Sequence, residues 1–386
     1  MTVVINPVIT PLLFDALTND DHVAGLLAAV MRRGLKSVCE THFDPAETDM
    51  NYCGIDLHSN NCVVIVSDES DRIVYQKRLP NELTQIAAAL EPYRHELAGV
   101  VIESTYNWYW LVDGLMDSGY QVHLAHPAAI RKYDGLKHSG DFADAAYLAQ
   151  LLRLGLLPEG YVYPREERGA RDLARKRMQL VRYRTAQILS IEGIMMRQTG
   201  SRISGEAVKR LTADQVNEFA FMPDVTLAVE ANRAVSQALA QQIEVLEKRL
   251  MERVSLRAEY RLLKTVPGIG DTLATTIMLE TGSIGRFAHV GNFSSYCRCV
   301  DSLRESNGKK KGEGNTRNGN KYLAWAFVEA ANFAMRYCPQ ARSFYDRKKS
   351  RTNRVLAIKA LAHKLARACY HMLRDQKPFD VHLCFG

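Results

Sequence analysis

Tyr52-Cys53-Gly54-Ile55-Asp56-Leu57-His58-Ser59-Asn60 is a short apolar run that meets an acid and then turns through polar residues. A second run, Gly99-Val100-Val101-Ile102-Glu103, is built the same way and continues into Ser104-Thr105-Tyr106. Runs this short and this rich in β-branched residues read as strands buried on both faces. Their terminal acids then emerge at one edge of a sheet. Asp141 and Asp144 lie three apart at the start of a helical segment and share one of its faces. Carboxylates gathered in one place repel, and a divalent cation is the usual counter-charge. The set Asp56, Glu103, Asp141 and Asp144 therefore predicts a Mg²⁺ site, with Mn²⁺ as the alternative, suited to phosphodiester chemistry. Each acid alone has a plainer reading, as a solvated loop start or as charge complementing a helix N-terminus.

Around these acids the pattern predicts strands at 52–57, 61–67 and 72–79, a helix at 82–92 and a strand at 99–103. A helix at 107–118, a strand at 120–125 and a helix at 141–154 follow. Three consecutive strands and then alternating helices and strands predict an α/β domain over 50–160 with an RNase H-like (RuvC-like) sheet. Residues 1–49 form an N-terminal extension of unknown role, with a modest helical segment from Asp21 to Leu35 and an alternative start at Met50.

Residues 161–258 read as a helical linker. Its first part carries Arg168, Arg171, Arg175, Lys176, Arg177, Arg182 and Arg184, a cationic run of which Arg171, Arg175 and Arg182 are expected to contact a nucleic-acid backbone. Its last part spaces Leu239, Ile243, Leu246 and Leu250 as in a coiled coil, either an intramolecular hairpin or a dimerising arm. A mainly α domain over 259–375 begins with Thr265-Val266-Pro267-Gly268-Ile269-Gly270, set between a helix ending near Leu263 and one starting at Asp271. This resembles a helix-hairpin-helix element, in which Gly268 and Gly270 let backbone amides approach a phosphate. A plain connector reads the same way. Residues 301–322 form a mobile cationic loop rich in Gly, Asn and Lys. Lys309, Lys310, Lys311, Arg317 and Lys321 can grip phosphate oxygens there, and a serine among them can serve as a nucleophile if a neighbour activates it. Further cations, among them Lys348 and Arg351, cover the C-terminal helices, and a tail of 376–386 ends the chain.

The formal net charge of +7 over 386 residues favours a polyanionic partner. Eight cysteines without paired CxxC spacing speak against a zinc ribbon or a disulfide framework. With neither a membrane-length apolar stretch nor a secretory pattern, the expectation is a cytoplasmic, nucleoid-associated protein with no membrane partner.

Together these segments resemble the DEDD transposases of insertion-sequence family 110, including its 1111 subgroup. The resemblance rests on Gly54-Ile55-Asp56-Leu57-His58, Val101-Ile102-Glu103-Ser104-Thr105 and Lys137-His138-Ser139-Gly140-Asp141-Phe142-Ala143-Asp144-Ala145. Thr265 to Gly270, Ser306-Asn307-Gly308-Lys309 and Arg317-Asn318-Gly319-Asn320-Lys321 complete it. It implies a RuvC-like domain, a coiled-coil linker and a C-terminal transposase domain. It also implies metal on Asp56, Glu103, Asp141 and Asp144, and a nucleophilic serine at Ser306, with Ser302 as the local alternative. Donor and target DNA, a structured noncoding guide RNA and a homo-oligomer (dimer or tetramer) are the implied partners. The loop departs from the family pattern in having Glu305-Ser306-Asn307-Gly308 where Ser-Ser-Gly-Gly is frequent. Two other readings stay open. One is a metal-dependent structure-specific nuclease that uses water; the other is a noncatalytic nucleic-acid-binding protein.

Overall fold

β1 (Asn51–Leu57), β2 (Asn61–Ser67) and β3 (Ile73–Pro80) form an antiparallel meander, since the turns between them are too short for a crossover. α1 (Leu83–Leu90) then leads to β4 (Leu97–Glu103), and α2 (Tyr109–Asp117) leads to β5 (Val122–Ala125). β4 lies parallel to β1, and β5 lies parallel to β4. The sheet order is β3-β2-β1-β4-β5. The computed structural model describes residues 50–127, 129–130, 140–219, 221–300, 304–312 and 318–386. The predicted helix at Asp21–Leu35, the Lys137–Ser139 part of the acid motif, Ser302 and Arg317 fall outside them.

β1, β2 and the end of β4 are almost continuously buried, while β3 is an exposed edge carrying Lys77 and Arg78. α3 (Asp141–Arg153) covers one face of the sheet. Val63 and Ile65 pack against Ala145 on this face, and Val101 and Ala125 pack against Leu148. The closest approach is at Gly54, where a Cβ would stand 1.9 Å from the Ala145 carbonyl oxygen and 2.9 Å from the Ala149 nitrogen. Only glycine lets the helix backbone settle on the strand there. Strand alternation then puts Asp56, two residues past Gly54, and Glu103, two past Val101, on the α3 face.

The chain divides into two compact units at Gly160/Tyr161. The second begins with α4 (Arg165–Thr199). Two short helices, α5 (Gly205–Arg210) and α6 (Ala213–Glu218), connect it to α7 (Pro223–Val254). Ala170 and Ala174 of α4 share a core with Leu250 and Val254 of α7, whereas Ile188 to Met195 share one with Val229. The two long helices are therefore antiparallel, an intramolecular hairpin. α7 turns Val229, Ser236, Ile243 and Leu250 inward every seven residues.

α8 (Ala258–Leu263), α9 (Asp271–Thr281) and α10 (Val290–Tyr296) follow. α11 (Lys321–Tyr337), α12 (Pro339–Arg351), α13 (Arg354–Asp375) and α14 (Val381–Phe385) close the chain. α9 is buried at every position from Leu273 to Thr281, so it forms the centre of this bundle, as an all-round buried helix does. Before α11 stands a two-stranded hairpin, β6 (Arg304–Ser306) and β7 (Lys309–Gly312). The expected structureless loop is thus corrected over these residues. Asn307 and Gly308 take φ of +52° and +67° at its tip, the turn whose backbone twist suits a two-residue hairpin. Among the described residues no helix is long and apolar enough to cross a membrane.

Candidate active site

The site starts from strand register. Arg78 pairs with Val63, and Val63 pairs with Asp56, so an edge-strand arginine shares the face of the β1 acid. Ile55 pairs with Ile102, which sets Asp56 and Glu103 level on neighbouring strands. Asp56 is buried, whereas Glu103 and Asp144 are half-buried. Asp141 and Asp144 occupy the first turn of α3, where the helix dipole favours negative charge.

The tightest group on this face is Asp56, His58 and Asp141, whose donor atoms all lie within 4.8 Å of one another. His58 Nε2 stands 3.4 Å from Asp56 Oδ2 and 3.2 Å from Asp141 Oδ2. It is buried and aligned for a hydrogen bond with neither. A ring nitrogen aimed between two carboxylates without bonding either suits three ligands around a common centre. Donors about 2.0–2.6 Å from one cation lie within roughly twice that distance of each other, so this set fits a divalent ion. Glu103 ends the neighbouring strand β4 and Asp144 shares the first turn of α3 with Asp141.

The backbone of His58 is fixed from two sides. Its carbonyl accepts hydrogen bonds from Asn81 Nδ2 at 3.0 Å and from Asn107 Nδ2 at 2.9 Å. Its N–H donates to the Asn61 carbonyl at 2.9 Å, closing the β1–β2 turn. Arg78 donates to Asp141 Oδ2 and, at 2.7 Å, to Asn61 Oδ1. The Arg78 hydrogen bond holds the Asp141 carboxyl below its ordinary pKa, and the nearby His58 works in the same direction. Neither His58 nor Arg78 stood among the expected site residues. For both the signal was register: His58 is two residues past Asp56 on an alternating strand, and Arg78 is two strands across.

In the second unit the expected residues are dispersed. Ser306 ends β6, exposed, opposite Lys309; Lys309 and Lys311 are exposed on β7. Lys321 opens α11, and Lys348 and Arg351 are exposed on α12. On α4, Arg182 is exposed, Arg171 stacks 3.9 Å from the centroid of Tyr163, and Arg175 is hydrogen-bonded to Glu280.

The Pro267–Gly270 turn shows two different uses of glycine. Gly268 has φ +93°, and a Cβ there would meet Ala334 N at 2.5 Å and Ala330 O at 2.7 Å, so it is required for packing against α11. Around Gly270 there is open space. The turn lines a groove of about 610 Å³ with Phe333 and Tyr337. Asp271, at the start of α9, pairs with Lys264 and accepts from Tyr260 Oη at 2.6 Å. Its carboxylate already supplies negative charge to that helix end.

Residues 53–198 match the IS110-type DEDD family described as Transposase, and residues 260–346 match the one described as Transposase IS116/IS110/IS902 family. Together they span more than half of the chain, and the chain belongs to the IS110 family. It is 24% identical over 324 residues to the transposase for insertion sequence element IS1328 of Yersinia enterocolitica, covering 82% of this chain and 95% of that one. It is also 26% identical over 285 residues to the putative transposase y4qE of Sinorhizobium fredii, covering 72% and 68%. A 43.6 kDa protein of insertion element IS110 from Streptomyces coelicolor matches at 26% over 150 residues, 39% of this chain and 37% of that one. With the family's DEDD domain, the Asp56–His58–Asp141 group points to a divalent-metal site.

Proposed function

We propose that this transposase cuts and rejoins donor and target DNA by serine attack on phosphodiesters, with sequence choice supplied by a structured RNA encoded beside its gene. The observation that carries the reading is the convergence of Asp56, His58 and Asp141 on one face of a five-stranded sheet of order β3-β2-β1-β4-β5. Asp56, Glu103, Asp141 and Asp144 would hold Mg²⁺ or Mn²⁺, which supplies Lewis-acid stabilisation of phosphate charge. Ser306 Oγ forms a bond to phosphorus and gives up its proton. The bond to the leaving strand oxygen breaks, and that oxygen takes a proton. A hydroxyl of the second DNA reverses the exchange and frees the serine, so no bond is lost to water. Lys309, Lys310, Lys311 and Arg317 are assigned to the phosphate oxygens and Lys321 to the strand beyond. Arg171, Arg182, Lys348 and Arg351 are assigned to the DNA or RNA backbone, and Gly268 and Gly270 to a backbone-amide contact.

Rejoining several ends calls for more than one copy. The outer side of α7 exposes Leu227, Ala231, Ala234 and Ala238 at spacings of four, three and four, with Val245 a heptad further on, a short second apolar seam suited to a like helix.

The second reading is the water-using nuclease, in which the serine loop binds DNA without attacking it. A single experiment separates the two readings. Wild type and Ser306→Ala are incubated with Mg²⁺, flank-encoded RNA and labelled DNA, then denatured. Label on wild-type protein alone supports serine transfer. Equal cleavage by both without labelled protein removes it.

A further inference from the structure

Glu280 sits in an unfavourable place for an acid. It is 3% exposed and lies in the last turn of α9, where the helix dipole already presents partial negative charge. Two neighbours compensate it. Arg175 of α4 donates from Nε to Oε1 at 2.6 Å and from Nη2 to Oε2 at 2.7 Å. Asn320 Nδ2 donates to Oε2 at 2.7 Å. Burial works against the Arg175 charge, but the hydrogen bonds it donates to Glu280 prevail and raise its pKa above the ordinary value. The same guanidinium lies 4.8 Å from the ring centroid of Tyr322. Buried ion pairs are seldom more stabilising than well-packed apolar residues of the same volume, and their better-attested contribution is a unique geometry.

The geometry fixed here is a neck. Asn320 caps α11, its Oδ1 accepting from Tyr322 N at 2.8 Å and Leu323 N at 3.1 Å. Its own N–H donates to the Tyr296 carbonyl at 2.6 Å. One residue earlier, the Gly319 carbonyl accepts from Arg298 Nε at 3.1 Å and Nη2 at 2.9 Å. Gly319 has φ +89°, and a Cβ there would stand 2.6 Å from Tyr296 O. The chain that leaves at Arg298 and returns at Gly319 is pinched together at this point. The β6–β7 hairpin bearing Ser306 lies between its two ends.

We propose that Arg175, Glu280 and Asn320 are positioning residues for strand transfer: they reference the neck of the Ser306 hairpin to the long α4 arm. The proposal rests on the serine reading above. Arg175 belongs to a run of cations that reads as a nucleic-acid face, yet it acts through Glu280 on the hairpin base.

Asn320→Ser tests it, because serine also caps a helix but has no amide to donate to Glu280. The expected result is a folded protein whose melting transition falls by about 2–6 °C, as loss of one donor to a buried carboxylate requires, with DNA affinity within twofold of wild type and adduct formation at saturating DNA slowed tenfold or more. Amide exchange in residues 304–312 becomes faster. Glu280→Gln slows the adduct similarly where it folds, and Arg175→Lys, which keeps the charge but loses the paired geometry, falls between it and wild type. Wild-type adduct rate together with wild-type exchange in folded Asn320→Ser overturns the proposal. If wild type itself forms no adduct, the serine reading fails and exchange alone decides. Faster exchange then keeps the neck as a positioning device for another chemistry, and unchanged exchange removes it.

Discussion

Two arginine–carboxylate pairs in this molecule have the same chemistry and opposite surroundings. Arg78–Asp141 lies at the sheet edge with both side chains more than a third exposed, next to His58 and Asp56. Arg175–Glu280 is closed around a carboxylate with 2% of its side chain exposed, with Asn320 as a third partner. At the edge, water competes for the arginine and an incoming cation can replace it, so the pair keeps an acid ionised and available. Around Glu280 the contrast lies in the acid: Arg175 is itself one-third exposed, but the carboxylate is closed off from water and from an incoming cation, and the pair fixes geometry. A salt bridge seen in a sequence or a contact map does not reveal which of these it is; the surroundings do.

The difference is broken most severely by Asp141→Asn. Strand cleavage and joining should fall by about 10²-fold or more, as when a charge-stabilising group is lost at a reacting phosphate. Melting should not change, and titration with Mn²⁺ should show weaker binding. A variant that binds Mn²⁺ like wild type would remove Asp141 from the ligand set. Arg175→Ala should instead show in stability, leaving the buried Glu280 charge with Asn320 alone at a cost of about 3–5 kcal/mol in denaturant unfolding. Arg78→Ala, its edge counterpart, should leave unfolding unchanged. If the two arginine variants destabilise equally, the contrast between edge and interior is wrong.

The glycines sharpen the contrast one step down. Gly268→Ala drives a Cβ into the backbone of α11 and should cost about 1–3 kcal/mol by overpacking, irrespective of DNA. Gly270→Ala has room and should leave folding alone, so reduced DNA affinity in that variant would report a real backbone contact. The smallest effect belongs to a third pair. Asp71 has φ +60°, and Arg153 and Gln150 donate to it. The Arg153 hydrogen bond holds its pKa below the ordinary value. A carboxyl depressed in the folded state stabilises above its unfolded pKa, and that contribution disappears as pH falls through the folded one. Asp71→Asn should therefore cost up to about 1 kcal/mol at neutral pH and nothing in strong acid, measured by unfolding across pH.

Much of the first unit was legible because its signals are local. Short β-branched runs ending in Asp56 and Glu103 mark their strands directly, and the observed bounds differ from the expected ones by a few residues at most. His58 and Arg78 were not read because their meaning lies in pairing register, which joins β1 to β3 through β2. The hairpin at 304–312 was passed over because Gly, Asn and Lys dominate its composition, although Asn307-Gly308 is a strong local turn signal. The Arg175–Glu280 pair was not legible, because nothing in the arginine's own helix indicates a carboxylate more than a hundred positions away.

Gly54 has one more consequence. It makes the standoff between β1 and α3 a main-chain quantity, because the contact that limits it involves no side chain. The strand and the helix therefore keep their spacing whatever rotamers Asp56 and Asp141 adopt, and ions of different radius are met by carboxylate rotation while the backbone stays still.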